Sequence, residues 1–369
     1  MTVSRNIVTL SFPFVAGTAI ATLFRGPSPA ALSAISVLSA LLFVSAAAEG
    51  SRRAAGAMLF FSLGCLCRMA VSPLDDASGP AFAGRIQESL CTLIDSAPWP
   101  HEGTAGLLRA ILTGNRDALP RETVAVFRAS GASHILALSG LHLGIIYLVA
   151  GRILLLLGNS RSGAIARSAI LIILCGFYAL VTGASPSIVR AFLFICINEA
   201  AAHSPGRRRD GISVLCTALL LQLVFRPQVI SSLGFQLSYL AMTGIFTLYP
   251  RLEGWYPAAS RSLPKSKRVR GITAFFIRRD PFAWIWRSVA LTVSCQVFTA
   301  PLVWLRFRTF PKYFIITNLL ALPLTWAMVV CAVATLALLA LGLPVPFLIR
   351  LTDTLAHALV SALEIISGM

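Results

Sequence analysis

Charged residues are scarce in this sequence, and acidic ones especially so. Asp and Glu number 14 against 31 Lys and Arg, and charged residues make up 12% of the 369 positions, which is about half of the fraction in a soluble globular protein. Hydrophobic residues make up 57%, and the mean hydropathy is +0.80. This composition excludes an ordinary soluble domain and predicts a polytopic membrane protein, since a spanning helix needs about 20 apolar residues.

The common motifs of metal sites and enzymes are also missing. The eight cysteines include no CxxC pair, and no HExxH or other zinc pattern occurs. The sequence has neither a glycine-rich phosphate loop nor a GxSxG elbow. We therefore predict no metal, no cofactor and no nucleotide site, so any transport would be powered by another protein. With no complete catalytic constellation, the chain is predicted not to be an enzyme.

The net charge of +17 has two interpretations. Lys and Arg are enriched in the cytoplasmic loops of inner-membrane proteins, and this accounts for much of the excess. A polyanionic substrate is also compatible with the charge but is not shown by it.

The apolar runs predict an all-α polytopic membrane protein with about ten to eleven transmembrane helices plus short amphipathic helices. Two amphipathic helices are expected at 82–96 and 104–113. Arginine-rich loops fall on one side when eleven spans are drawn, which predicts a cytoplasmic N-terminus in the bacterial inner membrane. The expected spans are 6–24, 29–48, 54–72, 133–157, 165–182, 188–202, 211–225, 233–249, 284–305, 313–342 and 345–366.

The span expected at 133–157 opens with HILALSGLHLG at 134–144, which is unusually polar for a lipid anchor. It carries His134, Ser139, Gly140 and His142. Ionisable groups at membrane depth are costly and usually face a bundle interior or a watery path. On one helix, His134 and His142 would lie about 80° apart, which is not the spacing of a helical metal pair. Ser139 and His142 suggest a membrane hydrolase only weakly, because a third catalytic member is missing.

Other polar residues interrupt later apolar runs. Arg190 follows the Gly-Ala-Ser-Pro break at 183–186 and either snorkels to the lipid head groups or faces a polar cavity. Gln236 and Tyr239 share a helix face and either bond between helices or line a pore. The complete set of candidate channel-lining residues is His134, Ser139, Gly140, His142, Arg190, Gln236, Tyr239, Gln296 and Asn318.

Three arginines precede the polar stretch, in a region where polar and apolar residues mix. Arg116, Arg121 and Arg128 could meet phosphate, either of a substrate or of lipid head groups. They are the candidate DNA-attracting residues if the substrate is a nucleic acid.

HILALSGLHLG resembles the signature of the ComEC competence family, inner-membrane proteins that pass single-stranded DNA into transformable bacteria. Further resemblances follow in the family's order and cover about residues 103–342. They are LLRAILTGNRDALPRETVAVFRASGASH at 107–134, SIVRAF at 187–192, LGFQLSYLAMTGIFTLYPRL at 233–252, SCQVFTAPLVWLRF at 294–307 and NLLALPL at 318–324.

The resemblance implies a channel for single-stranded DNA. Full-length relatives resemble a three-part protein with an oligonucleotide-binding-type domain and often a metallo-β-lactamase-like domain. Segment 73–102 is too short for the former, and no cluster of metal-ligating histidines marks the latter. We therefore expect N-terminal transmembrane helices at 1–72, a shortened extracytoplasmic segment at 73–102 and a competence-type channel domain at 103–369.

The expected partners are single-stranded DNA and membrane lipids. Separate proteins would then supply a DNA receptor, a nuclease and a cytoplasmic ATPase that pulls the strand. Two alternatives to a DNA channel stay open. One is a transporter or channel for another anionic or lipid substrate, and the other is the hydrolase at Ser139 and His142.

Overall fold

The computed structural model describes residues 2–23, 28–46, 48–70, 81–158, 160–203, 210–256, 281–308 and 310–368. Within these ranges the regular structure is helical and no strand occurs, which confirms the all-α prediction. The chain divides into two compact units, Met1–Gln87 with Ser139–Tyr239 and Glu88–Leu138 with Leu240–Met369. Predictions for residues 25–27, 73–80 and 207–209, and for most of the basic 251–283 loop, lie outside the described residues.

The first unit begins with three helices, α1 (Thr2–Leu23), α2 (Pro29–Ser45) and α3 (Glu49–Ala70), of which α1 and α2 both pack on α3. The backbones of α1 and α3 approach closely at two glycines. A Cβ added at Gly17 would lie 2.1 Å from the Phe61 carbonyl oxygen, and one at Gly64 would lie 2.3 Å from the Phe14 carbonyl oxygen. Small residues at such contacts are typical of helix pairs in membranes.

The rest of the first unit is a second helical group. Its helices are α8 (Gly140–Ile153), α9 (Arg161–Val181), α10 (Pro186–Ala202), α11 (Gly211–Phe225) and α12 (Leu233–Thr247), whose first half belongs to this unit. Helices α8, α9 and α10 pack against one another, and α10 also packs on α11. Two short 3₁₀ turns, Leu154–Leu157 and Pro227–Ser231, follow α8 and α11.

The second unit is built around α15 (Phe314–Ala340), which packs on α14 (Pro281–Phe307) and α16 (Pro346–Ser367). Helix α16 also contacts α5 (Thr104–Thr113) and α6 (Arg121–Ala129). Leu107, Leu108 and Ile111 are fully or almost fully buried, as the amphipathic pattern predicts. The shorter helices are α4 (Ala81–Ser96), which starts in the first unit, α5 (Thr104–Thr113), α6 (Arg121–Ala129), α7 (Ser133–Leu136) and α13 (Tyr249–Glu253).

The described helices are those of a membrane protein. Four are long and apolar enough to cross a bilayer, namely Glu49–Ala70, Arg161–Val181, Phe282–Phe307 and Phe314–Ala340. Shorter apolar helices occur at Ile7–Leu23, Pro29–Ser45, Thr104–Thr113, Gly140–Leu156 and Gly211–Phe225. Large apolar side chains such as Leu156 and Val44 stay exposed, 89% and 78% respectively, as lipid-facing residues do. The count of ten to eleven spans stays a prediction.

The prediction of one continuous span at 133–157 is wrong. Helix α7 ends at Leu136, the backbone is extended at Ala137 and at Ser139, and α8 starts at Gly140. His134 and His142 therefore lie on different helices, and the 80° separation expected on one helix does not apply.

Two later helices continue through an internal proline. Pro301 lies inside α14 and Pro323 inside α15, so neither proline ends its helix.

Candidate functional site

Ser139 caps the N-terminus of α8. Its hydroxyl oxygen accepts a hydrogen bond from the Leu141 backbone N–H at 3.2 Å. The first backbone N–H groups of a helix have no partner within the helix, so a serine at this position stabilises it. The polar Ser-Gly pair in an otherwise apolar run is thus explained locally, as the point where a new helix starts.

His142 completes this cap from inside the helix. The Ser139 backbone N–H donates to His142 Nδ1 at 3.2 Å, in the position that Glu or Gln fills in a common capping box. Because Nδ1 accepts this bond, the ring carries its proton on Nε2 and is neutral. His142 is 1% exposed, so the cap lies in the interior.

A sharp break between α9 and α10 precedes Arg190. Gly183 and Ala184 both have positive φ, 73° and 47°, and for alanine this conformation costs about 1–2 kcal/mol. Ser185 then takes the N-cap position, and Pro186 starts α10 in the first turn, where a proline is tolerated. The break predicted from the Gly-Ala-Ser-Pro sequence is confirmed.

Arg190 is 9% exposed and lies one turn into α10. One guanidinium nitrogen, Nη1, donates to the Ser238 carbonyl oxygen in α12. The other terminal nitrogen lies against α8, because a Cβ added at Gly140 would be 2.9 Å from Nη2. Because Gly140 has no side chain, the Arg190 guanidinium fits between α8 and α10. Of the two interpretations of Arg190, snorkelling to the surface and facing the protein interior, its burial favours the second.

Gln222 and Tyr239 extend this polar region to α11 and α12. Gln222 Nε2 donates to the Pro186 carbonyl oxygen at 3.0 Å, and its Oε1 accepts from the Tyr239 hydroxyl at 3.0 Å. Both side chains are buried. Tyr239 thus bonds between helices, one of the two roles expected for it. We call Ser139, Gly140, His142, Arg190, Gln222 and Tyr239 the polar hub.

Gln236 lies beside the polar hub in the first unit but serves a local role. It is half-buried, and its Nε2 donates to the Ile230 carbonyl oxygen at 2.8 Å. The bond holds the start of α12 to the 3₁₀ turn before it. A lining role for Gln236 stays a prediction.

The remaining candidate lining residues belong to the second unit. His134 is exposed, with Nδ1 3.2 Å from the Gly131 carbonyl oxygen. Gln296 is half-buried in α14. Asn318 in α15 has a buried side-chain oxygen without a hydrogen bond to the described part of the chain. Their roles in a channel stay predictions, since the structure places them in this unit without assigning a function.

The three arginines proposed to attract DNA also lie in the second unit. All are exposed, Arg121 and Arg128 on α6 and Arg116 in the turn after α5. Arg116 Nη2 donates to the Leu136 carbonyl oxygen at 2.8 Å and so closes the end of α7. This arginine has a structural role whatever else it binds.

Sequence reasoning missed Gln222, the residue that joins α10, α11 and α12. The sequence feature that could have identified it is an amide side chain within the apolar run LLLQLVF at 219–225. Two further polar clusters were also missed, one around Asp353 and one around Glu199. Among the described residues, no group of three or more His, Cys, Asp or Glu side chains is placed to hold a metal ion.

These features define an α-helical membrane protein with a buried cationic hub between its helices. The chain belongs to the competence protein family, whose family model, described as "Competence protein", matches residues 111–369. It is 32% identical over 136 residues to ComE operon protein 3 of Bacillus subtilis, covering 37% of this chain and 17% of that protein. It is 28% identical over 191 residues to the uncharacterized protein YcaI of Escherichia coli, covering 49% of this chain and 23% of that protein.

The matched segments therefore span about a fifth of the length of these two relatives. No solved structure matches this chain significantly.

Proposed function

We propose that this chain forms an inner-membrane channel for the uptake of single-stranded DNA during natural transformation. The observation that carries the proposal is the buried Arg190, held in the polar hub of a chain that belongs to the competence protein family. The family's description names competence, and the chain is also similar to ComE operon protein 3 of Bacillus subtilis.

The physical argument rests on what a DNA strand requires of a membrane. Each nucleotide carries a phosphate charge, so a path needs positive potential and polar surface. The planar guanidinium of Arg190 is a positively charged group made of N–H donors, one of which binds the Ser238 carbonyl oxygen. A buried arginine inside a helical bundle is costly and typically marks a substrate path.

The further parts of the proposal follow from the sequence. The chain crosses the inner membrane ten to eleven times, with its N-terminus in the cytoplasm. The exposed Arg116, Arg121 and Arg128 attract the strand, and the candidate lining residues face it. A DNA receptor, a nuclease and an ATPase are supplied by separate proteins. The chain itself acts as a channel and not as an enzyme, since Ser139 and His142 cap a helix.

The test is a clean deletion of the gene in a competent host, complemented by wild type, Arg190→Leu or Arg190→Lys. Surface-bound DNA, internalised DNA and protein level in the membrane are scored separately. Arg161→Leu is the control, because Arg161 is an exposed arginine at the start of α9. We expect deletion and Arg190→Leu to abolish internalisation but not surface binding, with partial function in Arg190→Lys.

Two outcomes would contradict the proposal. If deletion leaves internalisation unchanged, DNA is not the substrate, and passage of another anion through the same hub becomes the better proposal. If deletion abolishes internalisation but the Arg190→Leu variant internalises DNA normally at wild-type protein level, the path of the DNA strand does not run past Arg190.

A further inference from the structure

A second polar site lies in the first unit, at the opposite ends of the helices that form the polar hub. A cavity of about 470 Å³ is lined by the last turns of α8, the 3₁₀ turn after it, the first half of α9 and the end of α10. Along α8, Arg152 lies about 18 Å beyond Gly140, given a rise of about 1.5 Å per residue. The cavity is therefore separate from the hub.

Glu199 is the centre of a hydrogen-bonded cluster in this cavity. Its two carboxylate oxygens accept hydrogen bonds from the Tyr147 and Ser168 hydroxyls. Ser168 has one proton, which it gives to Glu199, so its oxygen accepts from His203 Nε2 at 2.9 Å. Three helices thus join through one carboxylate, which accepts hydrogen bonds from two hydroxyl groups.

Two arginines, Arg152 and Arg167, line the same cavity, and neither forms an ion pair with an acidic residue of the described ranges. The Nη1 atom of Arg167 is buried and has no hydrogen-bond partner in that part of the chain. A buried guanidinium nitrogen without an acceptor is unfavourable. The two guanidinium groups outnumber the single carboxylate, so the cavity favours an anion.

The surroundings indicate which kind of anion fits. Leu148 and Leu155 line the cavity and are about half exposed, and the neighbouring Leu156 is 89% exposed. Helix α9 is apolar and long enough to span a bilayer, and Arg167 lies about 9 Å along it from Arg161. Arg167 is in the first third of α9 and Arg152 is one residue from the end of α8, so both lie toward the helix ends, where spanning helices meet the head groups. Basic pockets between helices at this level suit the head groups of anionic lipids.

We propose that this cavity binds the head-group phosphate of an anionic glycerophospholipid, with Arg152 and Arg167 on the phosphate oxygens and the acyl chains along the exposed apolar faces of α8 and α9. The bound lipid ties together the ends of α8, α9 and α10. This inference does not rest on the proposed passage of DNA, because the cavity and the hub share no residue.

The test measures lipid-dependent stability of the full chain in a neutral detergent. The midpoint of thermal unfolding (Tm) is followed by tryptophan fluorescence while phosphatidylglycerol is added in mixed micelles. A ligand that binds the folded state raises Tm with concentration. Phosphatidylcholine tests the need for net negative charge, glycerol phosphate tests a free phosphate, and a single-stranded oligonucleotide tests a nucleic acid.

The variants are the double substitution Arg152→Gln with Arg167→Gln, and the matched control Arg161→Gln. Arg161 is on the same helix as Arg167 but does not line the cavity. We expect phosphatidylglycerol to raise Tm of wild type and of Arg161→Gln, and to need at least a tenfold higher concentration in the double variant. Equal responses in wild type and the double variant would overturn the proposal.

The proposal would also be overturned if phosphatidylcholine, glycerol phosphate or the oligonucleotide raised Tm as much as phosphatidylglycerol does. Should the double variant fail to fold, native mass spectrometry of the wild type decides. Retention of phosphatidylglycerol in preference to phosphatidylcholine supports the site, and retention of neither overturns it.

Discussion

His101 and Asp353 form a pair in the second unit although 252 positions separate them in the sequence. His101 Nδ1 lies 2.5 Å from Asp353 Oδ2, and the His101 backbone N–H donates to Oδ1 at 3.1 Å. The Thr104 hydroxyl donates to the same oxygen at 2.7 Å. Gly103, the N-cap of α5, provides no side-chain cap. Asp353 in α16 therefore anchors the segment that leads into α5.

The first prediction is that Asp353→Asn destabilises the protein. Asp353 is 1% exposed, so its hydrogen bonds are protected from water. An amide keeps one acceptor oxygen and places a donor NH₂ against groups that also donate, so we expect a loss of about 2 kcal/mol in the free energy of unfolding. The measurement is thermal unfolding of the purified protein in detergent.

Asp95→Asn is the matched control for this substitution. Asp95 pairs with Arg109 at 3.1 Å but is 45% exposed, and such a surface pair contributes roughly 0–1 kcal/mol. If Asp95→Asn lowered the free energy of unfolding as much as Asp353→Asn does, burial of the Asp353 hydrogen bonds would not contribute to stability.

Much of the helical fold could be predicted from the sequence, because apolarity is a local property. The amphipathic pattern at 104–113 gave α5 (Thr104–Thr113), and the apolar run at 211–225 gave α11 (Gly211–Phe225). The break before Arg190 was predicted for the same reason, since glycine, serine and proline act on the backbone where they stand. The break at 137–139 was missed because a Ser-Gly pair inside an apolar run is equally compatible with a continuous helix.

The polar contacts could not be predicted in the same way. Gln222 bonds to Pro186 and Tyr239, and Asp353 to His101, across distances in sequence that only packing sets. A single amide in an apolar helix bonds to whichever neighbour the bundle supplies. Arg190 was identified as a candidate because it follows a break in an apolar run, but its contacts with Gly140 and Ser238 follow from the arrangement of α8, α10 and α12.

The second prediction concerns the close approach of α8 and α10. A Cβ added at Gly140 would lie 2.9 Å from Arg190 Nη2 and 3.1 Å from Ala191 Cβ, whereas one at Gly144 meets nothing within 4 Å. Both glycines lie in α8. We expect Gly140→Ala to cost about 1–3 kcal/mol through overpacking, and Gly144→Ala to stabilise by up to about 1 kcal/mol through helix propensity. Thermal unfolding of the two variants, with internalised DNA scored in cells, checks both. The opposite order of Tm would contradict the packing described for Arg190.

The last prediction separates capping from catalysis at Ser139. Ser139 accepts from the Leu141 N–H, and His142 Nδ1 accepts from the Ser139 N–H. Ser139→Ala removes the cap and should cost about 1 kcal/mol, whereas Ser139→Asn keeps an acceptor at the N-cap and should be near wild type. Asparagine cannot act as the serine nucleophile of a hydrolase, so a catalytic role predicts loss in both variants, whereas a capping role predicts loss in Ser139→Ala alone.

We expect cells with Ser139→Asn to internalise DNA at close to the wild-type level, and cells with Ser139→Ala to show a deficit no larger than their loss of folded protein. Protein level in the membrane and Tm provide the comparison. Loss of uptake in both variants, at wild-type protein level and Tm, would indicate that the hydroxyl takes part in chemistry and would revive the hydrolase hypothesis for Ser139 and His142. Retained uptake in Ser139→Asn leaves the helix cap as the function of this pair, because a catalytic serine tolerates neither replacement.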